Sequence, residues 1–161
     1  MAFRDVVMIS IFVFFFGMAF FVAHFAFSSL VDQMTNTTQI NSSSQAVSAL
    51  EAGKDVLNRT DRIVFTVFIG LVLALIITGW FVGGNPIFMG IYVLGVIITV
   101  VISAVMANIW DDVSSATVFG GTISSFPITS HILSSFPIYM SIVGFVGLVV
   151  MFAKPYFSDA P

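Results

Sequence analysis

The charged residues of this chain are confined to four short islands, and the intervals between them decide what it can fold into. Its 5 Lys and Arg and 8 Asp and Glu residues stand at Arg4 and Asp5, between positions 32 and 62, at Asp111 and Asp112, and at Lys154 and Asp159. Uncharged runs fill 6–31, 63–110 and 113–153. A helix needs about 20 apolar residues to cross a hydrocarbon layer of about 30 Å. The first run therefore holds one span and the second holds two. With 58% hydrophobic residues, 8% charged and a mean hydropathy of +1.10, the 161 residues read as an integral membrane protein rather than a soluble domain.

The expected fold class is all-α, a polytopic membrane protein of four transmembrane helices in a single membrane domain. The segments are a first span at 6–31, a polar linker at 32–45, an amphipathic helix at 46–62, a second span at 63–82 and a third at 86–110. An interfacial or re-entrant segment at 113–134 and a fourth span at 137–153 complete it. Arg4 followed by apolar residues resembles a secretory leader, with Ala26, Phe27 and Ser28 as a cleavage site. The run is long enough to span, and it is read as a retained anchor.

Gly83, Gly84, Asn85 and Pro86 are a turn signal, because glycine permits positive φ and proline suits the first turn of a new helix. They predict a tight hairpin of the second and third spans. Helix-packing faces are expected where small residues let backbones approach: Gly17, Ala19 and Ala23 in the first span, Gly70 with Ala74 in the second, Ser103 with Ala107 in the third, and Ser141, Gly144 and Gly147 in the fourth. Trp80 and Trp110 suit the headgroup level at opposite ends of the hairpin. In the amphipathic helix Val47, Leu50, Val56 and Leu57 recur near helical spacing, and Asp55 with Arg59 makes an i,i+4 pair. Ser48 with Glu51 fits a capping box, and Ser43 or Ser44 offers an equal start. Lys154-Pro155 is expected to end the last helix.

The letters SSFPI occur twice, beginning at Ser124 and Ser134. Proline pushes the residue before it out of the α region and is itself welcome at a helix start. Each copy is therefore a bend followed by a helix: first a short one over ITSHIL, then the last span. The neighbouring serine hydroxyls are expected to cap the exposed backbone N–H groups.

Chemistry is sparse. The chain has no cysteine, which removes disulfides and thiolate sites. His24 lies late in the first span, and an ionisable group there is a candidate for a polar role. A neutral imidazole bonding a neighbouring helix or headgroup is the plainer reading. His131 lies among serines and threonines, but no hydrolase motif accompanies it. Asp111 and Asp112 mark the exit to water; facing water is the plainer reading, with a cation-binding pair or, in an oligomer, a carboxylate ring at a pore mouth as alternatives. Asn36, Asn41 and Asn58 each begin an N-x-[ST] sequon, an acceptor for glycan only in a eukaryotic, lumenal setting.

These features predict no enzyme, no metal and no cofactor. With a net charge of −3 and no basic cluster, nucleic acid is excluded as a partner. The partners expected are the lipid bilayer and other membrane subunits, in a homo- or hetero-oligomer. The leading expectation is a structural or assembly subunit of a larger membrane complex or array, in a cell membrane or the internal membrane of a lipid-containing virion. The alternative is a small oligomeric pore or holin-like permeabilising protein.

Overall fold

The computed structural model describes residues 2–82 and 86–158. Its helices are α1 (Ala2–Thr35), α2 (Thr38–Asn41), α3 (Ser44–Asn58), α4 (Thr60–Val82), α5 (Pro86–Ser115), α6 (Gly120–Ile123), α7 (Pro127–Ser134) and α8 (Phe136–Ser158). One 3-10 turn, Thr117–Phe119, precedes α6. The described residues contain no strand, as an all-α chain requires. Four segments are long and apolar enough to cross a membrane: Arg4–Thr35, Ser44–Phe81, Met89–Ser115 and Phe136–Ala153.

Local chemistry explains the boundaries. Ser43 caps α3, its hydroxyl accepting from the Ala46 N–H at 3.4 Å, so the helix starts before the Ser48 and Glu51 box. Only Arg59 separates α3 from α4, and its N–H still bonds the Val56 carbonyl at 3.2 Å. The Asp55–Arg59 pair measures 3.9 Å with both side chains about three-quarters exposed, so it contributes well under about 1 kcal/mol. Helix α8 continues past Lys154 and Pro155 to Ser158. A proline there removes a single backbone bond near the helix end, and that is too little to stop the helix at once.

The four long helices form a ring in which α1 packs on α4 and α5, and α8 packs on the same two. Helices α4 and α5 therefore stand on a diagonal, and the expected tight hairpin of the second and third spans is not a packed pair. Gly83, Gly84 and Asn85, which carry the turn signal, lie outside the described residues. The reason for the diagonal lies in side-chain size. Gly144 and Gly147 of α8 present bare backbone to Val96 and Tyr92 of α5, and any Cβ at either glycine would collide with them. Gly79 of α4 meets the Gly147 carbonyl and Met151 across the other side of α8. Both middle helices thus pack on α8 through glycine positions.

Three polar groups inside the ring bond within their own helices. Ser10 donates to the Val7 carbonyl, Thr99 to Gly95 and Ser103 to Val100, at 2.8, 2.8 and 2.9 Å. Each hydroxyl is satisfied without a partner helix, so these positions act as small, close-packing residues. Ser103 and Ala107 are buried; Ala19, Ala23, Gly70 and Ala74 face outward. Trp110, expected in an interfacial belt, is instead 0% exposed and sits in the core beside Phe21. Trp80 is on the surface.

The segment between α5 and α8 folds into short helical pieces. At 8 residues, α7 is about 12 Å long, far short of a bilayer crossing. It dips into the end of the ring that carries the α2–α3 linker, burying Thr129, Ile132 and Leu133. Gly17 of α1 makes room for it, since a Cβ there would lie 3.3 Å from Leu133 and 3.5 Å from Thr129.

Gly147→Ala should lower the thermal unfolding temperature of the purified protein, by the equivalent of about 1–3 kcal/mol for an overpacked site. Adding Tyr92→Phe, which removes the colliding hydroxyl, should restore part of the loss. Gly70→Ala, with nothing within 4 Å of the added carbon, should not lower the melt and should raise it slightly, since alanine loses less backbone freedom in a helix.

Candidate functional site

At the linker end of the ring, two linked features use most of the polar chemistry that the helices bury. The first is a carboxylate at the base of α4. Asp61 belongs to the first turn of α4 and is 5% exposed. Its oxygens accept from the backbone N–H groups of Ile128 at 3.0 Å and Thr129 at 2.7 Å, which lie in the first turn of α7. The opening N–H groups of a helix have no partner within it, and here each is accounted for. Pro127 has none to offer, Ile128 and Thr129 bond Asp61, and Ser130 bonds the Phe126 carbonyl at 2.9 Å. Phe126 holds the N-cap position and has no side-chain oxygen to cap with. Its ring is buried in the core.

The serine caps expected for SSFPI are therefore replaced. At the first copy the cap comes from Asp61, 67 residues away from Ile128, while Ser124 donates to the Gly121 carbonyl instead. At the second, the Ser135 backbone carbonyl accepts from Ile138 and Tyr139 at 3.0 and 3.2 Å. The Asp61 carboxylate also lies at the N-terminal ends of α4 and α7 together, and both helix dipoles favour negative charge there. Sequence reasoning passed over Asp61 because it sits in a charged island that reads as solvated linker.

The second feature is a polar cavity of about 300 Å³ between α1, α3 and the segment around α6. His24 is 3% exposed and forms part of its lining. Its Nδ1 and the Ser28 hydroxyl are buried without a hydrogen-bond partner, and they lie one helical turn apart on α1. Phe126 meets the imidazole edge to face at 5.0 Å. Around Phe21, the rings of Trp110, Phe119 and Phe126 stand 5.0 to 5.7 Å away, and this aromatic layer adjoins the cavity through Phe126. Toward water the cavity is lined by Lys54 and Asp32, paired at 3.3 Å. Gly53, beside Lys54, lets α3 settle on α1, since a Cβ there would touch the Phe27 ring at 3.0 Å.

Of the other sequence candidates, Asn58 alone joins this site. Asp111 and Asp112 are exposed at the end of α5. His131 is exposed and faces Tyr139 edge to face at 6.1 Å. Asn36 and Asn41 are exposed on the linker, and Asn58 is exposed yet lines the cavity. No group of three or more His, Asp or Glu side chains among the described residues is placed to hold a metal ion. Trp110 ties the site together by donating to the Ser130 hydroxyl at 3.4 Å.

Comparison of the chain with protein-family models, with curated proteins and with solved structures finds no match.

Asp61→Ala would strand two buried N–H groups, and about 2–4 kcal/mol of stability should be lost. Asp61→Asn, which keeps one acceptor, should lose less. The loss should localise: in the cysteine-free background a single cysteine at Ile132, buried on α7, should label faster with a membrane-permeant maleimide in Asp61→Ala. Unchanged labelling would show that the cap does not hold α7 in place.

Proposed function

We propose that the chain inserts in a membrane through its four long helices and serves there as a non-enzymatic structural or assembly subunit of a larger complex. The observation that carries this reading is the outer face of α4. Thr66, Gly70 and Ala74 follow one another at i,i+4 and are all exposed, and Gly70 has nothing within 4 Å of where a Cβ would stand. Small residues on a membrane helix cost packing area unless another backbone fills the groove they make. The glycines of α8 and Gly79 of α4 are filled from within the chain; Gly70 of α4 is not. An apolar groove of about 380 Å³ between α5 and α8, lined by residues that include Val96, Val100 and Phe145, offers a second outward surface. Helix α3 adds a third, since it buries no residue and leaves Val56 67% exposed.

A pore formed by one chain finds no support in this packing, because the space within the ring at the linker end is filled by Phe21, Trp110, Phe126 and Phe136, each 0% exposed. A pore would have to run between copies.

Gently extracted protein should migrate on blue-native electrophoresis well above the monomer of 17.4 kDa. Gly70→Leu should shift it toward monomer without lowering its melting temperature, because the position is exposed and nothing lies within 4 Å of an added Cβ. A monomer in several mild detergents, or an assembly indifferent to Gly70→Leu, would count against the proposal. Reproducible conductance in planar bilayers, altered by Asp111→Asn with Asp112→Asn, would favour the pore instead.

A further inference from the structure

The cavity at the linker end differs from ordinary surface relief in two respects. Its lining leaves hydrogen-bonding capacity unused at His24 Nδ1 and Ser28 Oγ, both buried. Leaving such atoms unpaired is costly, so they mark a place where water or a ligand completes the bonding. Its charged lining residues are one cation and one anion, Lys54 and Asp32, with side chains 42% and 67% exposed. An ion pair this open to water is cheap to separate, and each member is free to turn to a ligand group of opposite sign.

We propose that this cavity binds a small zwitterion in which an ammonium is joined to an oxyanion, as in the phosphoethanolamine headgroup of a phospholipid. A bare anion would meet the Asp32 carboxylate, and a bare cation would meet the Lys54 ammonium. A zwitterion engages both and leaves the cavity neutral. Its ammonium donates to Asp32 and to the imidazole and hydroxyl of His24 and Ser28. Its oxyanion accepts from Lys54 and from the amide and hydroxyl of Asn58 and Ser125, which also line the cavity. At about 300 Å³ the space is at the small end of ligand pockets, suited to a headgroup rather than a whole lipid. The choice of a lipid over a free zwitterion rests on the membrane reading above. The cavity lies where the apolar length of α1 gives way to the charged residues of α3, the depth at which headgroups would sit.

The test uses the full chain in a nonionic detergent, with ligand retention read by native mass spectrometry and by the shift in thermal unfolding. Lysophosphatidylethanolamine should be retained about tenfold more strongly than lysophosphatidylglycerol, a difference of one charge-assisted hydrogen bond. Lysophosphatidylcholine, whose quaternary nitrogen donates no hydrogen bond, should also be weaker. Ser28→Val, which removes the unpaired hydroxyl, and Lys54→Met should each reduce retention of the ethanolamine lipid about tenfold while circular dichroism stays unchanged. Equal retention of the three lipids, or indifference to both substitutions, would mean that the cavity holds water only and would overturn the proposal. Free phosphoethanolamine binding as tightly as the lysolipid would overturn the lipid source. Failure of the chain to insert into liposomes would instead refute the membrane reading, and the two failures are separable.

Discussion

The carboxylate of Asp61 holds the first turn of α7 through two backbone hydrogen bonds, and the linker end of the ring is organised around that contact. Taking a carboxylate out of water costs several kcal/mol even after relaxation. Two N–H donors and two helix N-termini offset that cost at one point, whereas a serine hydroxyl would satisfy one donor and answer neither dipole. Because the cap comes from another helix, the N-cap residue is released from capping. Phe126 uses that freedom to bury its ring against Phe21 and His24. The same contact fixes the depth of α7 and so places Leu133 against Gly17.

The parts that were legible in the sequence are those governed by solvent and by local backbone chemistry. Four long helices follow from where charges are absent, the starts of α7 and α8 follow from Pro127 and Pro137, and Ser43 is one of the alternative starts that the sequence offers for α3. The short helix after the first SSFPI also follows, since residue-before-proline sterics act over a few atoms. What could not be read is whatever depends on a partner distant in the chain. Asp61 looks like one more charge in a wet linker until α7 is folded against it. His24 stands out in the sequence, but the cavity beside it is assembled from α1, α3 and the α6 region, and no spacing within the chain announces it.

The diagonal placement of α4 and α5 teaches a related point. A short turn fixes which helices are connected, and the sizes of facing side chains fix which ones touch. Small residues occur in all four long helices, yet only some are used internally. Gly17, Gly144 and Gly147 each meet a group that would resist a Cβ, Gly79 meets α8 at ordinary contact distance, and Gly70 and Gly90 meet nothing. Two glycines of the same composition and similar spacing are thus indistinguishable by sequence until the opposing residue is known. For Gly144 and Gly147 that residue is Val96 or Tyr92, on a helix that enters the chain some fifty residues earlier.

The unequal treatment of buried polar groups separates the two surfaces that the chain has to offer. Within the ring, Ser10, Thr99 and Ser103 are satisfied by their own helices, and nothing there calls for a ligand. At the linker end His24 Nδ1 and the hydroxyls of Ser28 and Thr129 have no partner within the chain, and His24 and Ser28 line the cavity. The exposed stripe of α4 raises the opposite demand, for apolar surface rather than for hydrogen bonds. None of Thr66, Gly70 and Ala74 lines the cavity, so a neighbouring helix seated on α4 would leave the cavity open. The proposed assembly face and the proposed headgroup cavity therefore use different residues, and occupancy of one would not block the other.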